Sequence, residues 1–200
     1  MKVVLADYGA GNLRSVTSAF ARAGADASIS TDAAEVREAP LAVIAGVGHV
    51  ESAARGLASH GLDAAIRDRV EAGRPVLGIC VGMQLLFGAS EEGGAGLAVL
   101  DGPVRRVQAR RVPHMGWNDL TVTRPSALVD GLDGRDVYFA HSFAVEPDDE
   151  QVIVSAADHG GRVVAAVEQG AIAGVQFHPE RSAAAGARLL TNALAWSRSA

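Results

Sequence analysis

The chain has 200 residues, of which 48% are hydrophobic and 4% aromatic, and its formal net charge is −5. This length and composition suffice to bury one core, and we expect a single domain over residues 1–200. The negative charge predicts no nucleic-acid and no membrane partner. A lone cysteine excludes an internal disulfide and no apolar segment is long enough to span a bilayer, so we expect a cytoplasmic protein.

Short apolar segments alternate with helical patterns in the first half of the chain. Their spacing predicts strands at residues 2–6, 27–30, 41–45 and 76–79, and helices at residues 13–23, 51–58 and 62–72. Because strands that alternate with helices form parallel sheets, this half predicts an open, mostly parallel sheet with flanking helices.

The pattern changes after residue 100, where short alternating segments follow one another without long helices between them. These segments lie at residues 104–107, 119–123, 137–140, 152–157, 163–168 and 172–176. They predict an antiparallel or mixed β region, which a helix at residues 182–198 closes. The predicted fold class is therefore α/β.

Two glycine-containing loops follow predicted strands in the first half. Residues 7–12 lead into the first helix, which Asn12 can cap, and they form either a plain turn or a binding loop. Residues 46–49 (Gly-Val-Gly-His) let backbone N–H groups face an anion, although a tight turn would use the same glycines. Neither loop indicates a function by itself.

The only cysteine, Cys80, lies between the strand at residues 76–79 and a helix predicted from Gly82. Gly78 and Gly82 stand two residues away on either side, where a sharp strand-to-helix turn needs residues without Cβ. This spacing is typical of a nucleophile elbow with cysteine as the nucleophile. An inert core cysteine is the alternative, because free cysteines are among the most buried residues.

The strand predicted at residues 172–177 ends in His178, Pro179 and Glu180. A nucleophilic cysteine needs a base, and a carboxylate commonly orients that base. Pro179 biases His178 toward an extended conformation, in which residues 178 and 180 point to the same side. A surface histidine beside a glutamate that caps the last helix is the alternative.

Polar clusters interrupt the second half of the chain at residues 110–118 and 138–143. Trp117, beside arginine and methionine, fits an interface anchor, and a buried core tryptophan is the alternative. His114 and His141 fit satisfied structural histidines, because no cysteine or carboxylate stands at metal-ligand spacing. We therefore expect neither a metal nor a cofactor.

Two motifs, each after a predicted strand, carry a specific resemblance. Residues 78–84 (Gly-Ile-Cys-Val-Gly-Met-Gln) and 176–180 (Gln-Phe-His-Pro-Glu) resemble those of class I glutamine amidotransferases. Residues 7–16, 113–118 and 138–142 are further similar to the glutaminase subunits of imidazole glycerol phosphate synthases, which act in histidine biosynthesis.

The resemblance implies a flavodoxin-like fold that hydrolyses L-glutamine to glutamate and ammonia. The residues it implies are, by role, the catalytic triad Cys80, His178 and Glu180, the backbone oxyanion donors Val81 and Val47, and the glutamine-binding side chains Gln84, Glu92 and Ser142. Without the resemblance, Glu92 is a solvated acid in a polar loop.

A partner subunit follows from the chemistry of ammonia. In neutral water ammonia becomes mostly ammonium, which is not a nucleophile, so the reaction favours a sealed path to a second active site. The chain shows no synthase machinery of its own. The resemblance implies a heterodimer with a (β/α)₈-barrel cyclase that makes imidazole glycerol phosphate and aminoimidazole carboxamide ribotide. Asn12, Trp117 and Arg181 are the predicted interface residues.

One departure from the family concerns the loop at residues 45–48. The chain has Ala45-Gly-Val-Gly where the family usually has Pro-Gly-Val-Gly, which leaves open how this strand is held. Two other functions remain as alternatives. A glutaminase for pyridoxal phosphate synthesis would share the triad, but residues 113–118 and 138–142 argue against it. A non-catalytic scaffold would not need the intact cysteine, histidine and glutamate.

Overall fold

The central sheet is built from apolar segments whose side chains are mostly buried. Within residues 1–199, which the computed structural model describes, the strands are β1 (Lys2–Ala6), β2 (Asp26–Ser30), β3 (Leu41–Gly46), β4 (Val76–Cys80), β5 (Val104–Arg106), β6 (His114–Asp119), β7 (Thr121–Val122), β8 (Asp136–His141), β9 (Phe143–Val145), β10 (Ile153–Asp158), β11 (Arg162–Gln169) and β12 (Ile172–Val175). Strands β3, β4 and β12 are buried at every position. Continuous burial of this kind is typical of strands covered on both faces.

The main sheet has the order β2-β1-β3-β4-β12-β11-β10-β7. Neighbours from β2 to β12 are parallel, whereas β12, β11, β10 and β7 are paired antiparallel. The first half of the chain connects its strands through helices, which return the chain to the starting edge, and the second half uses direct connections. The predicted fold class, an open and mostly parallel sheet that becomes antiparallel in the second half, is confirmed.

The helices pack in two groups around this sheet. They are α1 (Leu13–Arg22), α2 (Ala33–Glu38), α3 (Val50–Ser59), α4 (Leu62–Glu71), α5 (Val81–Gln84) and α6 (Ala183–Trp196). Helix α1 contacts α6, while α4 contacts α2 and α3. None of the helices in residues 1–199 has the length and apolar character needed to cross a membrane.

Three elements were missed by the sequence patterns. Helix α2 is short and is capped by Asp32, whose carboxylate accepts the N–H groups of Ala34 and Glu35. Strand β6 forms within the stretch predicted as a polar interruption, and it pairs with β8 along its whole length. Strand β9 pairs with β5. Pairing with a neighbouring strand stabilises β6 and β9, which is why they form strands although their sequences carry little apolar periodicity.

The register of the parallel strands brings the functional candidates to one edge. Gly46 at the end of β3 lies opposite Cys80 at the end of β4, and Val175 of β12 lies opposite Ile79. His178 follows β12 by three residues. Parallel strands end at the same edge of a sheet, which is where open α/β folds assemble their sites.

Candidate active site

Cys80 lies at a sharp turn between β4 and α5. Its backbone has φ 54° and ψ −111°, and its side chain is buried apart from 2% of its surface. A residue with a Cβ rarely adopts positive φ, and such strain costs about 1–3 kcal/mol unless the surrounding structure enforces it. The turn is therefore held by its neighbours, as in a nucleophile elbow.

Gly78 and Gly82 show how the turn is held. A Cβ at Gly82 would overlap the carbonyl oxygen of Ile44 on β3, and a Cβ at Gly78 would lie 2.5 Å from the carbonyl oxygen of Gly82. Backbone contacts therefore exclude a Cβ at both positions. The spacing of the two glycines had indicated the same requirement. The helix begins at Val81 rather than Gly82 and ends at Gln84.

His178 and Glu180 form a buried pair, with 2.9 Å between His178 Nδ1 and Glu180 Oε1. His178 is extended, at φ −99° and ψ 97°, but Glu180 lies on a 3₁₀ turn (Pro179–Arg181) rather than on a continued strand. The two side chains meet as predicted, although the turn brings them together. The backbone N–H of His178 donates to the carbonyl of Tyr138 at 2.8 Å, which fixes the histidine beside β8.

The surroundings of His178 favour its protonated form. Burial lowers the pKa of His178, but hydrogen bonds with Cys80 and Glu180 outweigh that effect and raise it to about 10. Burial and the charge of Cys80 likewise raise the pKa of Tyr8. The hydrogen bonds of His178 thus favour its imidazolium form at neutral pH.

Val47 and Val81 directly follow the ends of the neighbouring strands β3 and β4. Val81 is the first residue of α5, where backbone N–H groups have no acceptor within the helix. Val47 follows β3 and is 51% exposed, and Gly48 has φ +98° with no atom within 4 Å of a Cβ built on it. Ala45, which replaces the family's proline, is buried in β3.

A cleft of about 430 Å³ opens above Cys80. Its wall includes the residues predicted for the oxyanion and for glutamine: Val47, Val81, Gln84, Glu92 and Ser142. The carboxylate of Glu92 already has protein partners, because Oε2 accepts the N–H of Val50 and Oε1 lies 3.0 Å from His49 Nδ1. The amide of Gln84 donates to the carbonyl of Phe143 at 2.8 Å. Both side chains therefore also order the cleft wall.

Two hollows of larger volume lie elsewhere on the molecule. One, of about 620 Å³, lies along β5 and β9, and the other, of about 780 Å³, lies between β7 and α6. Neither is lined by a cysteine or a histidine among the described residues, so the cleft at Cys80 is the candidate for covalent chemistry. In residues 1–199 no three His, Cys, Asp or Glu side chains are grouped to hold a metal ion.

Comparison with known proteins agrees with this geometry. The family model for glutamine amidotransferase class-I matches residues 4–195. The chain belongs to the class I glutamine amidotransferase family. Imidazole glycerol phosphate synthase subunit HisH of Moorella thermoacetica is 44% identical over 194 residues, covering 95% of this chain and 92% of that protein. The subunit of the same name from Thermobifida fusca is 44% identical, with 96% of each chain covered.

The same fold occurs among solved structures. A crystal structure of a glutamine amidotransferase matches this amidotransferase chain with a TM-score of 0.80, at 22% sequence identity and over 98% of both chains. At this identity the match shows the shared fold.

The predicted interface residues lie beside elements that adjoin His178 and Glu180. Trp117 is 55% exposed, so the alternative of a core tryptophan is wrong. The ring of Trp117 meets that of Tyr138 edge-on at 6.1 Å, and the guanidinium of Arg181 lies 4.2 Å from the Tyr138 ring centroid. Asn12 caps α1 and borders a small cavity with Val47, His178 and Glu180.

The sequence reasoning missed two residues that touch the site. Tyr8 Oη is buried without a hydrogen-bond partner in residues 1–199, and it fills the space where a Cβ on Gly46 would be. Gln176 is fully buried at the end of the apolar strand and donates to Cys80 Sγ at 3.7 Å. A polar residue inside a buried strand pattern is the signal that could have identified Gln176.

Proposed function

We propose that this chain is the glutaminase subunit of an imidazole glycerol phosphate synthase and that residues 1–200 form one glutamine amidotransferase domain. The observation that carries the proposal is the strained Cys80 turn beside the buried His178–Glu180 pair, at the floor of the cleft. The similarity over nearly the whole chain to subunits of that synthase supports the same function.

In the first half of the proposed reaction, Cys80 attacks the side-chain amide carbon of glutamine as a thiolate. His178 holds the proton and gives it to the departing nitrogen, so ammonia leaves and a thioester remains. Glu180 keeps the imidazole in the orientation that the 2.9 Å hydrogen bond defines.

In the second half, water attacks the thioester. Neutral His178 takes a proton from the water, the carbon–sulfur bond breaks, and its electron pair returns to Cys80 as the thiolate. Glutamate leaves, and the site returns to the thiolate–imidazolium state that the raised pKa of His178 supports.

Backbone N–H groups of Val81 and Val47 are the proposed oxyanion donors. Loss of one such donor in a well-studied hydrolase costs about 3 kcal/mol, so the orientation of the Val47 peptide decides much of the rate. Gln84, Glu92 and Ser142 are the proposed contacts of the bound glutamine, since all three line the cleft.

The proposed partner is a (β/α)₈-barrel cyclase that consumes the ammonia, in a heterodimer. The exposed side chains near the cleft entrance support this docking site, because aromatic residues and arginine dominate interface cores. We propose a cytoplasmic location as well, since a reducing compartment keeps Cys80 a thiol. The proposed mechanism uses no cofactor.

Substitution of Cys80 tests the chemistry. Cys80→Ala should lower glutamine hydrolysis at least about a thousandfold and prevent labelling by an electrophilic glutamine analogue, since no other group supplies the nucleophile. Hydrolysis should be measured with the chain alone, with the cyclase, and with the cyclase plus its nucleotide ligand. Normal turnover by the Cys80→Ala protein would overturn the assignment.

Substitution of Arg181 tests the docking site. Arg181→Glu should weaken complex formation with the cyclase about tenfold or more, because it reverses a charge and removes the cation from the Tyr138 ring. Arg198→Glu is the matched control, since Arg198 is exposed after α6 and α6 ends beside Met1, at the opposite end of β1. Equal affinities for both variants, measured by calorimetry, would remove Arg181 from the interface.

A further inference from the structure

Gln176 is a polar side chain in a place where burial leaves it few partners. It is fully buried, and its backbone N–H donates to the carbonyl of Ala165 on β11. Its side chain lies between Gln84 and Cys80, with Nε2 at 3.7 Å from Cys80 Sγ and Oε1 at 3.1 Å from Gln84 Nε2. Burying such an amide costs free energy unless both its oxygen and its NH₂ group form hydrogen bonds.

The orientation of the Gln176 amide follows from neighbouring groups that can only donate or only accept a hydrogen bond. The carbonyl oxygen of Phe143 can only accept, so the end of Gln84 that faces it must be the NH₂ group. The same NH₂ group faces Gln176, which must therefore present its oxygen to Gln84. As a consequence, Gln176 directs its own N–H at the sulfur of Cys80.

The Phe143 carbonyl is also hydrogen-bonded to His141, which in turn pairs with His114. His141 Nδ1 lies 2.9 Å from that carbonyl and must carry the proton, which leaves Nε2 to accept from His114 Nδ1 at 3.0 Å. His114 Nε2 then accepts from the amide of Asn118 at 3.2 Å. Each donor in this chain is thereby determined.

Both histidines must remain neutral for this series of hydrogen bonds to keep its donors and acceptors. Burial lowers the pKa of His114 to about 3, with help from the charges of His141 and His159. Burial also lowers the pKa of His141 to about 4, although its hydrogen bond to Phe143 opposes the shift. Each hydrogen bond in this series therefore keeps the same donor and the same acceptor at neutral pH.

We propose that Gln176 is a further catalytic residue, which donates an N–H to the Cys80 thiolate and stabilises it as nucleophile and as leaving group. This inference rests on the proposed glutaminase function. Gln84 orients Gln176, and the His114–His141 pair orients Gln84 through Phe143, so these three are positioning residues.

The donor contributes most when the thioester breaks. Water adds to the carbonyl carbon, His178 takes its proton, and the carbon–sulfur bond then cleaves with both electrons going to Sγ. The new negative charge on Sγ is met by the N–H of Gln176 and by the imidazolium of His178. A weaker donor set makes the thiolate a poorer leaving group, so thioester should accumulate.

Alkylation of Cys80 by iodoacetamide measures the thiolate without glutamine or a partner, and Cys80 is the only cysteine. In Gln176→Met, which removes the donor at similar volume, the pH midpoint of alkylation should rise by about one unit. Gln176→Glu places a carboxylate beside the sulfur and should raise it further. Gln169→Met, at an exposed position of β11, is the matched control and should leave it unchanged.

Turnover provides the second measurement. With the cyclase present, Gln176→Met should lower steady-state glutamine hydrolysis about tenfold, and quenched samples should contain more thioester by mass spectrometry. A purely structural role would lower the melting temperature and leave both the alkylation midpoint and the thioester fraction unchanged. That outcome would overturn the inference.

A further variant keeps the test decisive if substitutions at Gln176 prevent folding. Gln84→Met frees the Gln176 amide to rotate, so the alkylation midpoint should rise by less than in Gln176→Met but beyond the Gln169→Met control. An unchanged midpoint in Gln84→Met would then overturn the inference. Failure of the unsubstituted chain to hydrolyse glutamine with its cyclase would instead overturn the proposed function, since the alkylation measurement does not depend on it.

Discussion

The two sides of the cleft differ in how firmly they are held. On one side, Cys80 is buried between Gly78 and Gly82, which leave no room for a Cβ, and the amide of Gln176 meets its sulfur. On the other side, residues 47–49 follow β3 and are exposed, and a Cβ on Gly48 would meet no atom within 4 Å. The proposed nucleophile is thus held in place before substrate arrives, whereas the backbone of residues 47–49 has room to move.

This difference indicates where a partner can act. A bound partner shifts a conformational equilibrium only when it binds the two states with different affinity. The backbone contacts of the Cys80 turn leave no room for a second state, whereas residues 47–49 are exposed and have room to move. We therefore expect regulation by the proposed cyclase partner to act on residues 47–49 and to leave the Cys80 turn unchanged.

Gly82→Ala should have the largest effect, because it disrupts the firmly held side. The added Cβ overlaps the backbone of Ile44, and a backbone contact cannot be relieved by a side-chain rotation. We expect a loss of about 4 kcal/mol or more in the free energy of unfolding, measured by urea titration, together with loss of glutamine hydrolysis.

Gly88→Ala is the matched control for this substitution. Its Cβ would make an ordinary contact, 3.7 Å from the Cβ of Ala98, at a backbone conformation that alanine adopts freely. The two variants should differ by several kcal/mol. Similar stability would mean that the Cys80 turn is less constrained than its backbone contacts indicate.

The effect of pH on stability should be smaller than that of Gly82→Ala. It should report on the buried histidines near Cys80. The pKa of His178 is raised from 6.5 to about 10, so the folded chain keeps a proton that the unfolded chain releases. Its contribution is complete below pH 6.5 and is lost as the pH rises toward 10. His114 and His141, with pKa values lowered to about 3 and 4, act oppositely and destabilise the fold as the pH falls below 6.5.

The melting temperature should therefore pass through a maximum near neutral pH. His178→Asn should flatten the alkaline side of that curve, since it removes the group whose proton is lost there. His60→Asn is the control, because His60 is exposed at the end of α3. An unchanged alkaline slope in His178→Asn would show that another group titrates in that range.

Gly48→Ala should have the smallest effect on stability, and it tests the other side of the cleft. The added Cβ meets no atom, but a φ of +98° strains alanine by about 1 kcal/mol. We expect partner-stimulated hydrolysis to fall roughly tenfold, less than for the loss of a whole oxyanion donor, while iodoacetamide still alkylates Cys80 normally.

Gly24→Ala controls for the strain alone. Gly24 follows α1, has φ +89° and is also free of neighbours, so its substitution should destabilise the fold equally without slowing hydrolysis. A parallel loss of alkylation and hydrolysis in Gly48→Ala would contradict the independence of the two sides.

The prediction of strands was accurate where the sequence had strong apolar periodicity. Lys2–Ala6 and the segment that leads to Cys80 read as buried strands because side chains covered on both faces must be apolar. Strand β6 was missed, since its residues alternate between buried His114 and exposed Met115 without an apolar pattern. Pairing with β8 makes it a strand.

The sequence by itself determined the family, through motifs around one cysteine between spaced glycines and around a histidine and glutamate after a later strand. These are local features, and local spacing is visible in a linear chain. The tertiary structure alone decided the orientation of Gln176, because donors and acceptors from β4, α5, β9 and the residue after β12 meet there from distant parts of the chain. It also decided that the Cys80 turn is closely packed while residues 47–49 are exposed, since both properties depend on neighbouring atoms.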